Sequence, residues 1–245
     1  MNEGILCLHK GAKACTRDEL DLIPVPPETE TYQPVSHYGL TSKLLTIARD
    51  ILTGFTLSKE SYGLAREGHQ LFGVLQFKNT IEDIGLAIGF RNSYDKSMSV
   101  GLACGASVFV CDNLALSGSI TIMRKHTKMV WVELEEKAIT TCYRAQLNYA
   151  QILDDVDKFK AFPFNDSDAG FSHMGVLYGK DIISPRQMAV AKTQWLRPQY
   201  PEFKSRNAWS LYNCITESLK TSPPQEIMEK HIELHDYFKN CVGSS

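Results

Sequence analysis

Two histidines four residues apart, His231 and His235, stand in the run His231-Ile232-Glu233-Leu234-His235 near the end of a 245-residue chain. On a helix that spacing puts both imidazoles on one face, where they could share a zinc ion. The metalloprotease order needs glutamate directly after the first histidine, and here Glu233 points to the far side, so the pair is expected as solvated histidines and no metal is assigned. Asp154, Asp155 and Asp157, with Asp166 and Asp168 beyond, could in principle hold magnesium for phosphate chemistry. Neighbouring aspartates on a helix diverge, however, and a solvated charge run is expected. Cys111 beside Asp112, with a distant His126 or His173, is the remaining route to a hydrolase, and no nucleophile elbow or phosphate-binding loop accompanies it. No cofactor is expected.

One cluster has a coherent chemistry. Arg124, Lys125, His126 and Lys128 gather positive charge in a chain whose net charge is -2. Cations beside a strand end can neutralise phosphates, and Arg91, Tyr94 and Lys96 on a nearby polar connection add charge and a stacking ring. Together these seven residues form the candidate nucleic-acid site.

The elements that must carry them follow from pattern. Residues 1–33, with Pro24, Pro26 and Pro27, are expected as an extended or mobile arm, and 34–240 as one α+β domain with a short tail at 241–245. After the Ser36 cap, Leu40, Leu44, Ile47, Ala48 and Ile51 trace a helix that Gly54 ends. Short apolar runs then predict antiparallel strands at Phe55–Glu60, Tyr62–Arg66, Leu71–Phe77, Ile84–Arg91, Met98–Cys104, Ser107–Cys111 and Ser119–Met123, with Asp112 and Asn113 at a turn. From Val130 the period becomes helical as far as Phe159, predicting the longest element of the chain. Phe162–Gly179 is rich in turn residues and is expected as a loop with at most one short helix. Ser184–Leu196, Asn207–Lys220 and Pro224–Lys239 complete the chain as helices. The fold expected is therefore α+β: a curved antiparallel β-sheet packed against an N-terminal helix and a long central helix, followed by a helical C-terminal region, with the first helix and the sheet in 34–128 and the mostly helical part in 129–240.

Composition bounds the setting. A pI near 6.4 leaves no global pull toward nucleic acid or anionic lipid, so such contact must be local. Seven scattered cysteines without a CxxC pair argue for reduced, buried or half-buried thiols rather than a disulfide framework. The start of the chain lacks a signal-like apolar run and nothing is long enough to span a bilayer, so a cytoplasmic protein without membrane contact is expected.

The blocks Leu86–Ser97 (LAIGFRNSYDKS) and Val108–Gly118 (VFVCDNLALSG) resemble the domain-of-unknown-function 932 family, whose members are described as phage- or plasmid-related proteins. Tyr62–Gly73, Arg124–Lys128 and Trp209–Glu217 are similar to further segments of that family. The resemblance implies a mobile-element accessory protein but brings no catalytic residues with it. The helix, sheet, long-helix layout is also similar, at the level of fold, to Rad52-like single-strand annealing proteins, which hold backbone phosphates and need neither metal nor nucleophile. The function expected is thus non-catalytic binding of single-stranded DNA in recombination or replication, by a homo-oligomer, ring or filament. The alternatives are a protein-interaction module acting on a host or defence component, and a hydrolase or metal enzyme built from distant residues.

Overall fold

The computed structural model describes residues 12–79, 84–108, 113–116, 121–122, 129–164, 167–223 and 225–243. Their strands are β1 (Lys13–Cys15), β2 (Phe55–Ala65), β3 (Gln70–Asn79), β4 (Ile84–Ser93), β5 (Gly101–Val108), β6 (Asn113–Leu116) and β7 (Thr121–Ile122). The helices are α1 (Arg17–Asp21), α2 (His37–Ile51), α3 (Val130–Leu147), α4 (Tyr149–Ala161), α5 (Ser167–Gly179), α6 (Pro185–Leu196), α7 (Ala208–Leu219) and α8 (Ile227–Gly243). The strands form one antiparallel sheet in chain order from β1 to β6, with β7 joining β5 beyond the end of β6. This is the expected α+β architecture with a helical C-terminal region.

Side chains alternate across a strand, and here both sides of the sheet are apolar and covered. Leu71, Leu75 and Phe77 of β3, Leu86, Ile88 and Phe90 of β4, and Leu102 and Ala106 of β5 belong to the main core with α2, α3 and α4. Their neighbours Phe72, Val74, Ala87 and Ala103 point the other way and meet Ile227 and Met228 at the start of α8. Burial on both faces is why β3 and β4 read as nearly continuous apolar runs.

Within the sheet, Gly73 pairs with Phe90 across β3 and β4, and the Phe90 ring lies over the glycine so closely that a Cβ would stand 2.3 Å from its tip. Gly73→Ala is therefore expected to lower the unfolding free energy by about 1–3 kcal/mol through forced repacking, read as a lower urea midpoint with an unchanged slope.

Several boundaries differ from expectation for identifiable reasons. β2 is one strand, because Ser61, at the expected break, pairs in register with Val74 of β3; its one irregularity, at Ser58, is a bulge whose hydroxyl donates to the Gln76 carbonyl at 2.9 Å. β5 likewise runs unbroken through Gly105. The long helix divides at Asn148, where φ −89° and ψ 1° turn the chain so that the Tyr149 hydroxyl reaches the Ile84 carbonyl. The expected loop at 162–179 contains the 13-residue α5. Its Gly170 is a packing glycine, since a Cβ there would stand 2.5 Å from Trp195.

The expected turn residue Asn113 opens β6 instead, and its amide donates to the Asn213 carbonyl and to Asn213 Oδ1, each at 3.1 Å, tying the sheet to α7. The expectation of an extended or mobile arm must also be corrected for residues 13–21. Lys13–Cys15 pairs with Tyr62–Leu64 at the sheet edge, and α1 opens on a capping box between Thr16 and Glu19 that seats a fully buried Leu20. Other signals were plain: Ser36 caps α2 by accepting from the Gly39 amide at 3.1 Å, Gly54 follows α2 at φ +83°, and Ser184 and Gln187 form a capping box for α6.

Candidate nucleic-acid interface

Arg124, Lys125, His126 and Lys128 lie outside the described residues, as do Cys111, Asp112 and Asp166. The polar connection that contributes Arg91, Tyr94 and Lys96 is described throughout. Arg91 sits near the end of β4 with its stem across Gly101 of β5 and its guanidinium gripping α8. One nitrogen donates to Glu229 Oε2 at 3.0 Å and to the Gln225 carbonyl at 2.6 Å, and the other donates to Glu229 Oε1 at 2.8 Å. Such a two-point fork is the strongest geometry an arginine makes with a carboxylate.

Next along the chain, the buried Asn92 amide donates to the Val35 carbonyl at 2.6 Å and to His37 Nδ1 at 2.9 Å. That leaves the His37 proton on Nε2, facing the Gly68 carbonyl at 3.0 Å. Tyr94 stacks on the His37 ring at 3.9 Å, and its hydroxyl accepts from the His37 amide at 2.8 Å. Ser93 bonds both the amide and the carbonyl of Met98. Asp95 takes the Ser97 amide at 3.0 Å and the Gln70 side chain at 2.9 Å; burial raises its pKa, but these bonds and the charge of Arg66 outweigh that and hold it below the ordinary value.

The expectation that Arg91 and Tyr94 face a nucleic acid is therefore corrected. Both are buried; the terminal guanidinium nitrogens of Arg91 join β4 to α8, and the Tyr94 hydroxyl joins it to the start of α2. Lys96 is exposed, in a left-handed turn at φ +60°, with its ammonium 4.3 Å from the centre of the Tyr32 ring, and it remains open to a solvent-borne anion.

The histidine and aspartate expectations also change. His231 and His235 are buried rather than solvated, at 1 % and 2 % exposure. Asp155 turns inward from its exposed neighbours and accepts from Gln151 at 2.9 Å, His235 Nε2 at 3.1 Å and Lys239 at 3.2 Å. Burial pushes the Asp155 pKa up, but the bonds from His235, Gln151 and Lys239 prevail and hold it at about 2, below its ordinary 3.8.

A carboxylate depressed in the folded state stabilises the fold above its unfolded pKa, and that contribution disappears as pH falls through the folded value. Asp155→Asn is accordingly expected to cost about 2 kcal/mol near neutral pH, with the gap from wild type closing only between pH 3.8 and about 2. Denaturant unfolding at a series of pH values measures the gap; one that is already closed above pH 4 contradicts this role.

Among the described residues no group of three metal-binding side chains exists, and no helix is long and apolar enough to cross a membrane. Burial pushes the Cys104 thiol up to about 11 and those of Cys142 and Cys214 to about 12, which leaves them protonated and poorly nucleophilic near neutral pH. His173 Nδ1 meets the Tyr237 hydroxyl at 2.6 Å, and burial lowers the histidine pKa, so that pair is neutral near pH 7.

A second set of cations emerges on the helical side. Between Lys180 and Arg206 the chain carries six cations, Lys180, Arg186, Lys192, Arg197, Lys204 and Arg206, against two acids, Asp181 and Glu202. All but Arg206 are exposed and form no ion pair among the described residues. Arg186 lies in the first turn of α6, Lys192 along it and Arg197 at its end, spanning about 16 Å at helical rise. Arg206 is spent internally, donating to the Trp195 carbonyl and lying 4.3 Å over the Trp195 ring.

The chain matches no family model, no curated protein and no solved structure. The local charge balance of 180–206 was legible in the sequence, but its spread over 27 residues hides it beside the compact run at 124–128.

Proposed function

We propose that this protein is a non-catalytic nucleic-acid-binding accessory protein of a mobile element, with single-stranded DNA as its ligand. The observation that carries the reading is the set of exposed cations without ion pairs among the described residues on and around α6, with Arg186 and Arg197 on one side of the helix and Lys192 about 120° around it, in a chain of net charge -2. Free cations held on a rigid helix neutralise successive phosphates and release counterions, which gives affinity without base readout. Both faces of β3–β5 are covered, so the contact proposed here uses the helical side and loops rather than an open concave sheet. Lys96 and, in the sequence, the basic run Arg124–Lys128 are further candidate phosphate contacts. The resemblance of the Leu86–Ser97 block to the domain-of-unknown-function 932 family supports the phage or plasmid setting.

Titration of a labelled single-stranded oligonucleotide is expected to give saturable binding at low salt that weakens steeply as salt rises. Absence of binding at low salt contradicts the proposal. Replacing Arg124, Lys125 and Lys128 by alanine is expected to weaken binding similarly for unrelated sequences, as phosphate contacts do.

A second reading, a module that binds a host or defence protein, is favoured by a groove of about 550 Å3 between α2 and α3, whose walls include Ile47, Ile51, Ile139 and Tyr143. A stoichiometric complex with one host protein, rebuilt from purified components and retaining no DNA, decides for that reading.

A further inference from the structure

The outward face of α3 is unusually apolar for a solvent-facing helix. At about 100° per residue, Met129, Val132, Glu136, Thr140, Tyr143 and Leu147 fall within one stripe. All six are exposed, and the four apolar ones are between 55 % and 79 % exposed. The stripe runs about 27 Å along the helix at helical rise. The opposite face, with Leu134, Ala138, Cys142 and Ala145, is buried in the core, so α3 is apolar on two sides although the protein covers only one.

The flanking charges select the partner. Glu133, near the start of α3, and Arg144, near its end, lie on the same side of the stripe, and neither forms an ion pair among the described residues. Lys43 and Glu135, on the other side, already pair with each other at 2.6 Å.

We propose that this face binds a second copy of the same chain, α3 against α3 in antiparallel orientation about a two-fold axis passing near Thr140. In that register Val132 packs on Leu147 of the other copy, Glu136 meets the other Tyr143, and Glu133 approaches the other Arg144. In an antiparallel pair each flank faces its own symmetry mate, so acid at one end and base at the other satisfy both copies at once. In a parallel pair each flank would instead face the opposite flank of the other copy, so Glu133 and Arg144 would not meet. The contact is isologous and closes at two copies, in contrast to the ring or filament expected from annealing proteins. This inference is independent of the nucleic-acid reading, since it uses neither α6 nor Lys96.

Sedimentation velocity over a range of protein concentrations tests it, with variants at the exposed Tyr143 and Arg144 and the half-buried Glu133, each checked for an unchanged thermal midpoint. The wild type is expected to shift from monomer to dimer with rising concentration. Tyr143→Glu should abolish the shift. E133R alone and R144E alone each set like charges opposite one another and should leave monomers at concentrations where the wild type is dimeric, whereas E133R/R144E together should restore the dimer. A wild type that stays monomeric throughout overturns the proposal, as does dimerisation that persists in both single variants, a double variant that is not restored, or open-ended polymers. A monomer that instead forms a one-to-one complex with a different protein through this face overturns it too.

Discussion

Trp195→Ala is expected to destabilise the protein by about 3–5 kcal/mol, the cost of emptying a fully buried aromatic site. The indole is the joint of the helical region. Gly170 of α5 lies against its face, Phe164 meets it edge-on with ring centres 6.0 Å apart, and the Arg206 guanidinium covers it at 4.3 Å. Truncation removes these partners together, and Gly170 cannot close the gap because it has no side chain. Trp195 also anchors α6, which carries Arg186 and Lys192. The thermal midpoint should therefore drop by many degrees while wild type remains folded, and oligonucleotide affinity should fall in the temperature range where the variant is partly unfolded. Trp195→Phe, which keeps a ring in the site, should recover part of both. A Trp195→Ala variant as stable as wild type contradicts this packing.

Arg91→Ala is expected to cost about 3 kcal/mol. Breaking a buried ion pair is expensive because it strands the partner, and the figure sits at the low end here because the Glu229 side chain keeps 35 % of its exposure and can be rehydrated. The Gln225 carbonyl loses its donor as well. Arg91→Lys should rescue little, since a single ammonium cannot span both carboxylate oxygens and that carbonyl. A double-mutant cycle with Glu229→Gln should show strong coupling, with the second change costing far less once the first is made. Independent, additive effects would show that the fork does not join β4 to α8. A loss of DNA affinity in Arg91→Ala that tracks the loss of folded protein, and no more, is the matching expectation for a residue that holds the fold.

Where sequence and structure part company, the reason is usually a long-range partner. The caps at Ser36 and Ser184 were legible because their bonds close within three residues. The fork from Arg91 reaches residues 134 and 138 positions away, and nothing near it in the chain announces Gln225 or Glu229. A cationic, aromatic, polar run such as Arg91–Ser97 reads as a ligand surface when its partners are invisible.

The same holds for Asp155, which looks like one member of an acidic run until His235, 80 residues later, is placed beside it. Gly170 and Gly175 suggested a loop because the cost of glycine in a helix is local, while the space that Trp195 needs is tertiary. The break at Asn148 escaped because the apolar period continues through it, with Ala145 and Tyr149 both buried. The fold class survived these errors, since antiparallel runs followed by helical periods depend on local pattern alone.

The most direct test of the central claim is the affinity of a labelled single-stranded oligonucleotide, by fluorescence anisotropy across a salt series, for wild type and for R186E/K192E/R197E. All three positions are exposed, so the fold should persist. Wild type should bind at low salt with a steep negative slope of log affinity against log salt. The triple variant should lose at least about tenfold in affinity, with a slope shallower by about 2, as three lost phosphate contacts on a single strand require. Equal affinity and equal slope in the two proteins, or no binding by wild type at low salt, would contradict it.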